Sequence, residues 1–347
     1  MNPQLQHDTP RSCGKQACAD GPLHLGVYVL GNDGVYDWMV GFLRSFRSHN
    51  PTLPLILIPY DDNCRKISRL ASRYDFTIAE DPHLTHIDEL GRRVGKPGSG
   101  GNMFRKYHAF WGEFDAAWYL DSDVVVTGDL AEGLEAFAKS GFDLAYTDRS
   151  PGLVYNEPLL SIMKENHDTR EINAGSWLVR KCLDIETVRQ TAEQALAQND
   201  HRCFTIGEDQ PFTNYLFDLA GLSKTHLTEL LPDQAQGTWC REGLAPRIDT
   251  RGVCRVGNTD RNDHGKLVRL IHYAGELMSP NMAMRRTFID ARLQDASLGE
   301  RLAFYARDYG LLLRRSARAV KAGCIRRIKN CARRSETAKL VSSGINA

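Results

Sequence analysis

Trp118-Tyr119-Leu120-Asp121-Ser122-Asp123-Val124-Val125-Val126 is an apolar run broken by two carboxylates one residue apart. Such a run folds as a buried strand, and acids inside it are costly to bury unless a cation or hydrogen-bond donors compensate them. The pair is therefore expected at a strand's end, beside a ligand. On a strand that stays extended, residues two apart project to one face, so Asp121 and Asp123 can both approach one hard divalent cation. If the chain turns after Leu120, one acid takes the metal and the other a sugar hydroxyl. Oxygen ligands suit Mg2+ or Mn2+, whose shells usually keep waters and substrate phosphate oxygens. The run reads as a metal and phosphate site.

The chain around it predicts an α/β fold. Leu23 to Leu30 reads as a first buried strand, the Gly31-Asn32-Asp33-Gly34 turn can bring backbone close to a ligand, and Tyr36 to Ser48 carries apolar residues at helical spacing. A second strand, Leu53 to Pro59, completes a strand-turn-helix-strand unit, which implies a parallel sheet with a right-handed crossover. A helix over 65–74 and a short strand over 76–79 come next. The ends of the strands near Leu30 and Leu120 then share one rim, where open α/β sheets place their ligands. Between them, Gly95 to Asn102 leads into a helix predicted from Met103 to Phe114. It is not a Walker loop, since no Gly-Lys-Ser/Thr closes it, and it reads as a solvated linker or a flap over a donor. Arg105 or Lys106 on that helix can aim at a diphosphate. Asn173-Ala174-Gly175 precedes a further strand, Asp209-Gln210 opens a helix where capping is the ordinary role of an acid, and His272-Tyr273-Ala274-Gly275 ends a short strand.

Composition excludes several classes. At 347 residues, a formal charge of +1 and a 42% hydrophobic fraction, the sequence is that of an ordinary globular chain with no apolar stretch long enough to span a bilayer. Met1 to Gly21 is polar, lacks the apolar centre of a secretory signal, and reads as a disordered N-terminal tail. Nine cysteines at scattered positions form neither a disulfide framework nor a zinc pattern, so reduced thiols in a cytoplasmic protein are expected.

Taken in order, strand-borne Asp-x-Asp, Asn-Ala-Gly before a strand, Asp-Gln at a helix start and a strand ending in His-Tyr-x-Gly resemble the GT-A glycosyltransferases, particularly glycosyltransferase family 8. The resemblance covers roughly residues 23 to 290. It implies a Rossmann-like nucleotide-diphospho-sugar transferase fold with a mostly parallel central sheet flanked by helices, occupying 22–300. It further implies Mn2+ or Mg2+ held by Asp121, Asp123 and His272, bridging the diphosphate of a nucleotide sugar, commonly a UDP-sugar. Arg105, with Lys106 as the fallback, matches the basic residue that touches the donor. Asn173, Ala174 and Gly175 would line the sugar pocket, Gly275 would belong to the late donor motif, and Asp209 and Gln210 would face the transferred sugar as the catalytic pair. The product would be a glycan or lipid-linked acceptor extended at a hydroxyl, with retention. In an inverting enzyme Asp209 would be the base candidate.

Two departures from the family pattern stand out. Met278 occupies the place of the lysine that neutralises the diphosphate, leaving Arg285 or Arg286 as substitutes, and the first strand ends in Asn32 and Asp33 rather than a pair of acids. Two other classes fit parts of the sequence. Asp121 resembles the nucleophile of haloacid-dehalogenase-like phosphatases, although about a third of the chain precedes it, and a non-catalytic nucleotide-sugar binding module would use the same motifs. The C-terminal extension, 301–347, contains nine Lys and Arg between Leu311 and Arg334 with no Asp or Glu, interleaved with apolar residues. It reads as a solvated terminal helix or as a basic amphipathic helix at an anionic membrane surface, which would place the protein peripherally at the inner face. Aromatic residues are absent from that run, which argues against nucleic acid as a partner.

Overall fold

The computed structural model describes residues 22–95, 101–205, 209–276, 278–279 and 281–310. The N-terminal tail, most of the glycine-rich segment and the basic run 311–334 lie outside the described residues. The chain forms two compact units, one of Met1–Gly275 with Arg286–Gln294 and the other of Glu276–Arg285 with Asp295–Ala347. Among the described residues no helix is long and apolar enough to cross a membrane, and Cys64, Cys203 and Cys254 carry free thiols.

The first unit is built on a seven-stranded sheet. Its strands are β1 (Leu25–Gly31), β2 (Leu55–Pro59), β3 (Thr77–Ile78), β4 (Ala116–Asp121), β6 (Leu144–Tyr146), β7 (Ser176–Arg180) and β8 (Lys224–His226), ordered β3-β2-β1-β4-β7-β6-β8. The remaining strands form two short antiparallel pairs: β5 (Val124–Val126) with β11 (Leu270–His272), and β9 (Arg247–Ile248) with β10 (Cys254–Arg255). Pairing in the large sheet is parallel except around β7, which runs antiparallel to both β4 and β6. Alternate residues of each strand feed two cores. Val27, Val29, Leu55, Leu57, Trp118 and Leu120 join one face, against α1 (Tyr36–His49), whereas Tyr28, Leu30, Ile56, Ile58 and Tyr119 join the other. The buried strands thus read as unbroken apolar runs because both faces are covered.

The structure corrects the extended reading of the acidic run. Hydrogen bonding along β4 stops at Asp121, the chain turns at Ser122 and Asp123, and β5 leaves to pair with β11 in another sheet. A turn is cheaper than carrying two charges through a buried strand. The helix expected over 65–74 is likewise two short helices, α2 (Arg65–Ser68) and α3 (Ala71–Tyr74).

The segment after the glycine-rich stretch is a 3-10 helix, Asn102–Phe110, rather than an α-helix. It enters from Gly101, which holds φ +69 and lies against α4 (Leu84–Val94). There the backbones nearly touch: a Cβ on Gly91 would lie 2.4 Å from the Gly101 carbonyl oxygen, and one on Gly101 would lie 2.3 Å from the carbonyl oxygen of Asp88. This contact sets the depth of the helix that carries Arg105 and Lys106. Since backbone opposes backbone, no side-chain rotation can relieve an added methyl. Gly91→Ala is expected to cost ~1–3 kcal/mol, read from urea unfolding, and a variant as stable as the parent would show that the contact is not tight.

Candidate active site

Asp121 reaches the site from one strand pairing, and Asp123 and His272 reach it from another. Leu30 of β1 lies opposite Asp121 of β4, and the Asp121 N–H donates to the Gly175 carbonyl at 2.8 Å, so the ends of β1 and β4 and the loop before antiparallel β7 share one rim. Asp123 arrives through β5, whose Val124 pairs with His272, and the Tyr273 N–H donates to the Asp123 carbonyl at 2.9 Å. One ligand atom from each of Asp121, Asp123 and His272 lies within 4.8 Å of the others.

Three observations test whether a divalent cation fits there. Both ring nitrogens of His272 are buried without a hydrogen-bond partner, Nε2 standing 3.4 Å from Asp123 Oδ1. A buried polar atom with no partner is unusual in a folded protein and suits a nitrogen kept free for a ligand. The loop also leaves the space open: a Cβ on Gly175 would sit 2.2 Å from His272 Cε1 and 2.7 Å from Asp121 Oδ2. Finally, two carboxylates with one neutral imidazole is a donor set that Mn2+ accepts. The residues fit.

Lys106 anchors the other side. Its ammonium is fully buried, 2.6 Å from Asp209 Oδ2, 3.1 Å from the Ala174 carbonyl and 3.5 Å from Asp121 Oδ1. Burial alone would release its proton, yet the Asp121 and Asp209 carboxylates outweigh burial and hold the amine above its ordinary range. Asp121 is pushed upward by its own burial, against the pull of Lys106, and Asp123 adds to the rise. The Tyr119 hydroxyl donates to Asp121 Oδ1 at 2.5 Å. His272 is held protonatable by Asp123 and Asp121 in spite of burial.

The other candidates divide by what already holds them. Arg105 forks onto Asp88, at 2.8 and 2.6 Å, and donates to the Pro59 carbonyl, so of the two basic residues it is Lys106 that meets the acids. Asn32 and Asp33 sit at the rim after β1, with their side chains committed locally. Asn32 accepts from the Gly34 N–H and donates to Asp61, and the Asp33 carboxylate accepts from the N–H groups of Lys66 and Ile67 at the start of α2. Asn173 accepts from the Gly175 N–H and donates to Ser150, shaping the loop whose Ala174 carbonyl receives Lys106. Asp209 begins the helix Asp209–Leu219 and turns its carboxylate to Lys106, while Gln210 donates to the Leu153 carbonyl. Gly275 takes φ +74 three residues beyond His272. Arg285 pairs with Asp308 and Arg286 with Asp290.

Sequence reasoning missed Tyr119 and Asp148. Tyr119 lies two residues before Asp121, and period-two spacing on a strand would have placed both on one face. Asp148 follows β6 as Asp121 ends β4, and it is buried, accepting from the N–H and hydroxyl of Thr238 and the hydroxyl of Thr147. The Thr238 carbonyl in turn accepts from the His272 N–H at 2.9 Å, so one Asp-Thr bridge backs the metal-ligand candidate. Beyond Thr238 and Gly237 opens a polar cavity of ≈ 680 Å³, lined among others by Tyr146, Arg149, His226, Glu242 and Arg261. His226 Nε2 lies 3.0 Å from the Thr147 carbonyl, which can only accept, so Nδ1 accepts from Thr228. Glu242 packs its carboxylate against Gly237, where a Cβ would stand 1.8 Å from Oε2.

The chain is of the α/β class, with a mostly parallel sheet presenting this cluster at its strand ends. The solved structures it is similar to are glycosyltransferases of the GT-A type. They include GlyE of Streptococcus pneumoniae TIGR4, at 16% identity and a TM-score of 0.47, covering 83% of this chain and 64% of that one. The galactosyltransferase LgtC, solved with donor and acceptor sugar analogues, has 14% identity and a TM-score of 0.49, covering 77% of this chain and 95% of that one. Core-mannan synthase A of Aspergillus fumigatus, in a Mn/GDP form, has 7% identity and a TM-score of 0.36, covering 63% and 76%. No protein-family model and no curated protein matches the chain.

The Glu242 carboxyl is pushed from 4.5 up to about 7, first by burial and then by Asp148, with Arg261 pulling the other way. It binds its proton more tightly folded than unfolded. Its contribution to stability is therefore fully present below pH 4.5 and is lost as the pH rises through about 7. Glu242→Gln, which cannot ionise, should flatten that part of the decline in urea midpoints; identical pH profiles for the two proteins would contradict the shift.

Proposed function

We propose that this chain is a metal-dependent hexosyltransferase that moves a sugar from a nucleotide diphosphate, a UDP-sugar by family resemblance, to a hydroxyl of a glycan or lipid-linked acceptor. The observation that carries the reading is the convergence of Asp121, Asp123 and the unpartnered His272 imidazole beside the buried Lys106–Asp209 pair. Asp121, Asp123 and His272 would hold Mn2+ or Mg2+, which when bound supplies Lewis-acid stabilisation of the leaving diphosphate. Gly175 keeps the cleft open where any side chain would fill it. Asn173 fixes the loop, and Ala174 turns its carbonyl to Lys106.

Asp209 is the sugar-facing acid. Held by Lys106, its carboxylate is oriented to accept hydrogen bonds from sugar hydroxyls, with Gln210 beside it. The backbone after β1, at Asn32 and Asp33, and Gly275 complete the donor side, while Lys106 rather than Arg105 is the cation of the site. In a retaining reaction the departing phosphate takes the acceptor proton, so no enzyme base is obligatory. The polar cavity beyond the Asp148–Thr238 bridge is the acceptor side, its hydroxyl, amide, guanidinium and carboxyl groups matching a polyhydroxylated ligand.

A phosphatase using Asp121 as nucleophile is not favoured. Asp121 is engaged by Tyr119 and Lys106, and an imidazole joins the acid pair. Release of UDP from UDP-glucose and UDP-galactose, assayed with Mn2+ and a panel of saccharide acceptors, tests the reading. Asp123→Ala should lower turnover at least about 100-fold, and phosphate release from a generic phosphomonoester should be absent throughout. Turnover that survives Asp123→Ala would sink the metal-site assignment, and stabilisation by no nucleotide sugar would sink the transferase.

A further inference from the structure

Trp239 keeps 38% of its surface exposed beside the acid–imidazole cluster. A single exposed apolar side chain needs no explanation, but this one is placed by its backbone and pinned by its ring. The His272 N–H donates to the Thr238 carbonyl and the Cys240 N–H to the His272 carbonyl, both at 2.9 Å, so Trp239 stands directly opposite His272 in a parallel bridge. Opposite residues of a ladder project to one face, so the indole emerges on the face that carries the His272 imidazole. Tyr273 takes the other face, against Trp38 and Phe288. The indole N–H then donates to the Ala274 carbonyl at 3.1 Å. With its one polar atom engaged inside the protein, Trp239 offers a ligand only flat apolar surface, already held in one orientation.

The surroundings indicate what that surface takes. Gly237, two residues earlier, and Glu242, whose N–H donates to the Trp239 carbonyl at 3.0 Å, both line the polar cavity of ≈ 680 Å³. Lys106 and the Gly175 loop meet the cluster at Asp121 instead, and so leave the β11 side to Trp239. A fixed flat ring at the border of a polar cavity suits a pyranose, whose C–H face packs on the indole while its hydroxyls turn to hydrogen-bonding groups. We propose that Trp239 is the stacking platform for the acceptor, and that the acceptor residue is a hexopyranose presenting a continuous C–H face. The inference rests on the transferase reading of the same site and narrows its acceptor from any hydroxyl to that of a sugar ring.

Saturation-transfer NMR of the full chain with the methyl glycosides of galactose, glucose and N-acetylglucosamine, in the presence of Mn2+ and UDP, tests it. At least one glycoside should receive saturation chiefly at the protons of one ring face. Trp239→Leu, which keeps apolar bulk without a flat ring, should weaken that glycoside about tenfold, and Trp239→Phe should weaken it less. In UDP release from UDP-glucose or UDP-galactose, Trp239→Leu should raise the KM for the acceptor about ten times more than the KM for the donor. An equal rise in both constants, or a larger one for the donor, would overturn the proposal and assign the indole to the nucleotide. Turnover and glycoside affinity unchanged in Trp239→Leu would overturn it while leaving the transferase standing, as would a parent that turns over donor yet binds no glycoside. Glycoside binding that depends on Trp239 in a protein that turns over no nucleotide sugar would keep the platform and remove the transferase.

Discussion

One buried ammonium holds this site together. Lys106 is fully excluded from water, and its charge is met by Asp209, Asp121 and a main-chain carbonyl from the loop before β7. Those partners belong to the helix Asp209–Leu219, to β4 and to that loop, and Lys106 itself rides on the 3-10 helix set by the glycine contact with α4. Removing one member of a buried charge pair typically costs about 3–5 kcal/mol because the remaining charge is uncompensated. Here the loss would leave Asp121 and Asp209 facing each other. Lys106 thus orders four segments and fixes how Asp209 is presented.

The opposite half of the site is balanced differently. Pairing of two short strands sets Asp123 and His272 beside the end of β4 at Asp121, and the imidazole is left without a hydrogen-bond partner. A protein built for stability alone would satisfy that ring. Glycine at 175 sharpens the contrast, because a side chain there would press against the His272 ring and the Asp121 carboxylate. One half is saturated by an internal cation, and the other is the half proposed to take an external one.

The sequence made the strand pattern and the acid pair legible because both depend on local spacing. β1, α1, β2 and β7 lie close to where apolar periodicity puts them. Asp121, Asp123 and His272 converge as the ordered motifs implied, although through a turn rather than an extended strand. The ranking of Arg105 over Lys106 could not be read locally. It depends on Asp88, seventeen residues away on another helix, which takes the guanidinium. Asp148 and Thr238 were hidden for the same reason: their bond joins the end of a short strand to a long irregular loop with no periodic signal. Gly91 and Gly101 read as ordinary glycines until the two backbones are seen in contact.

In the proposed function the acid pair and His272 hold a cation that a nucleotide diphosphate then meets. Anomalous scattering from crystals grown with Mn2+ and UDP measures this directly. A single strong manganese peak within coordination distance of Asp121, Asp123 and His272, with diphosphate oxygens completing the shell, is the predicted result. UDP bound at the strand ends with no manganese peak between those three residues, or manganese held elsewhere, would contradict it.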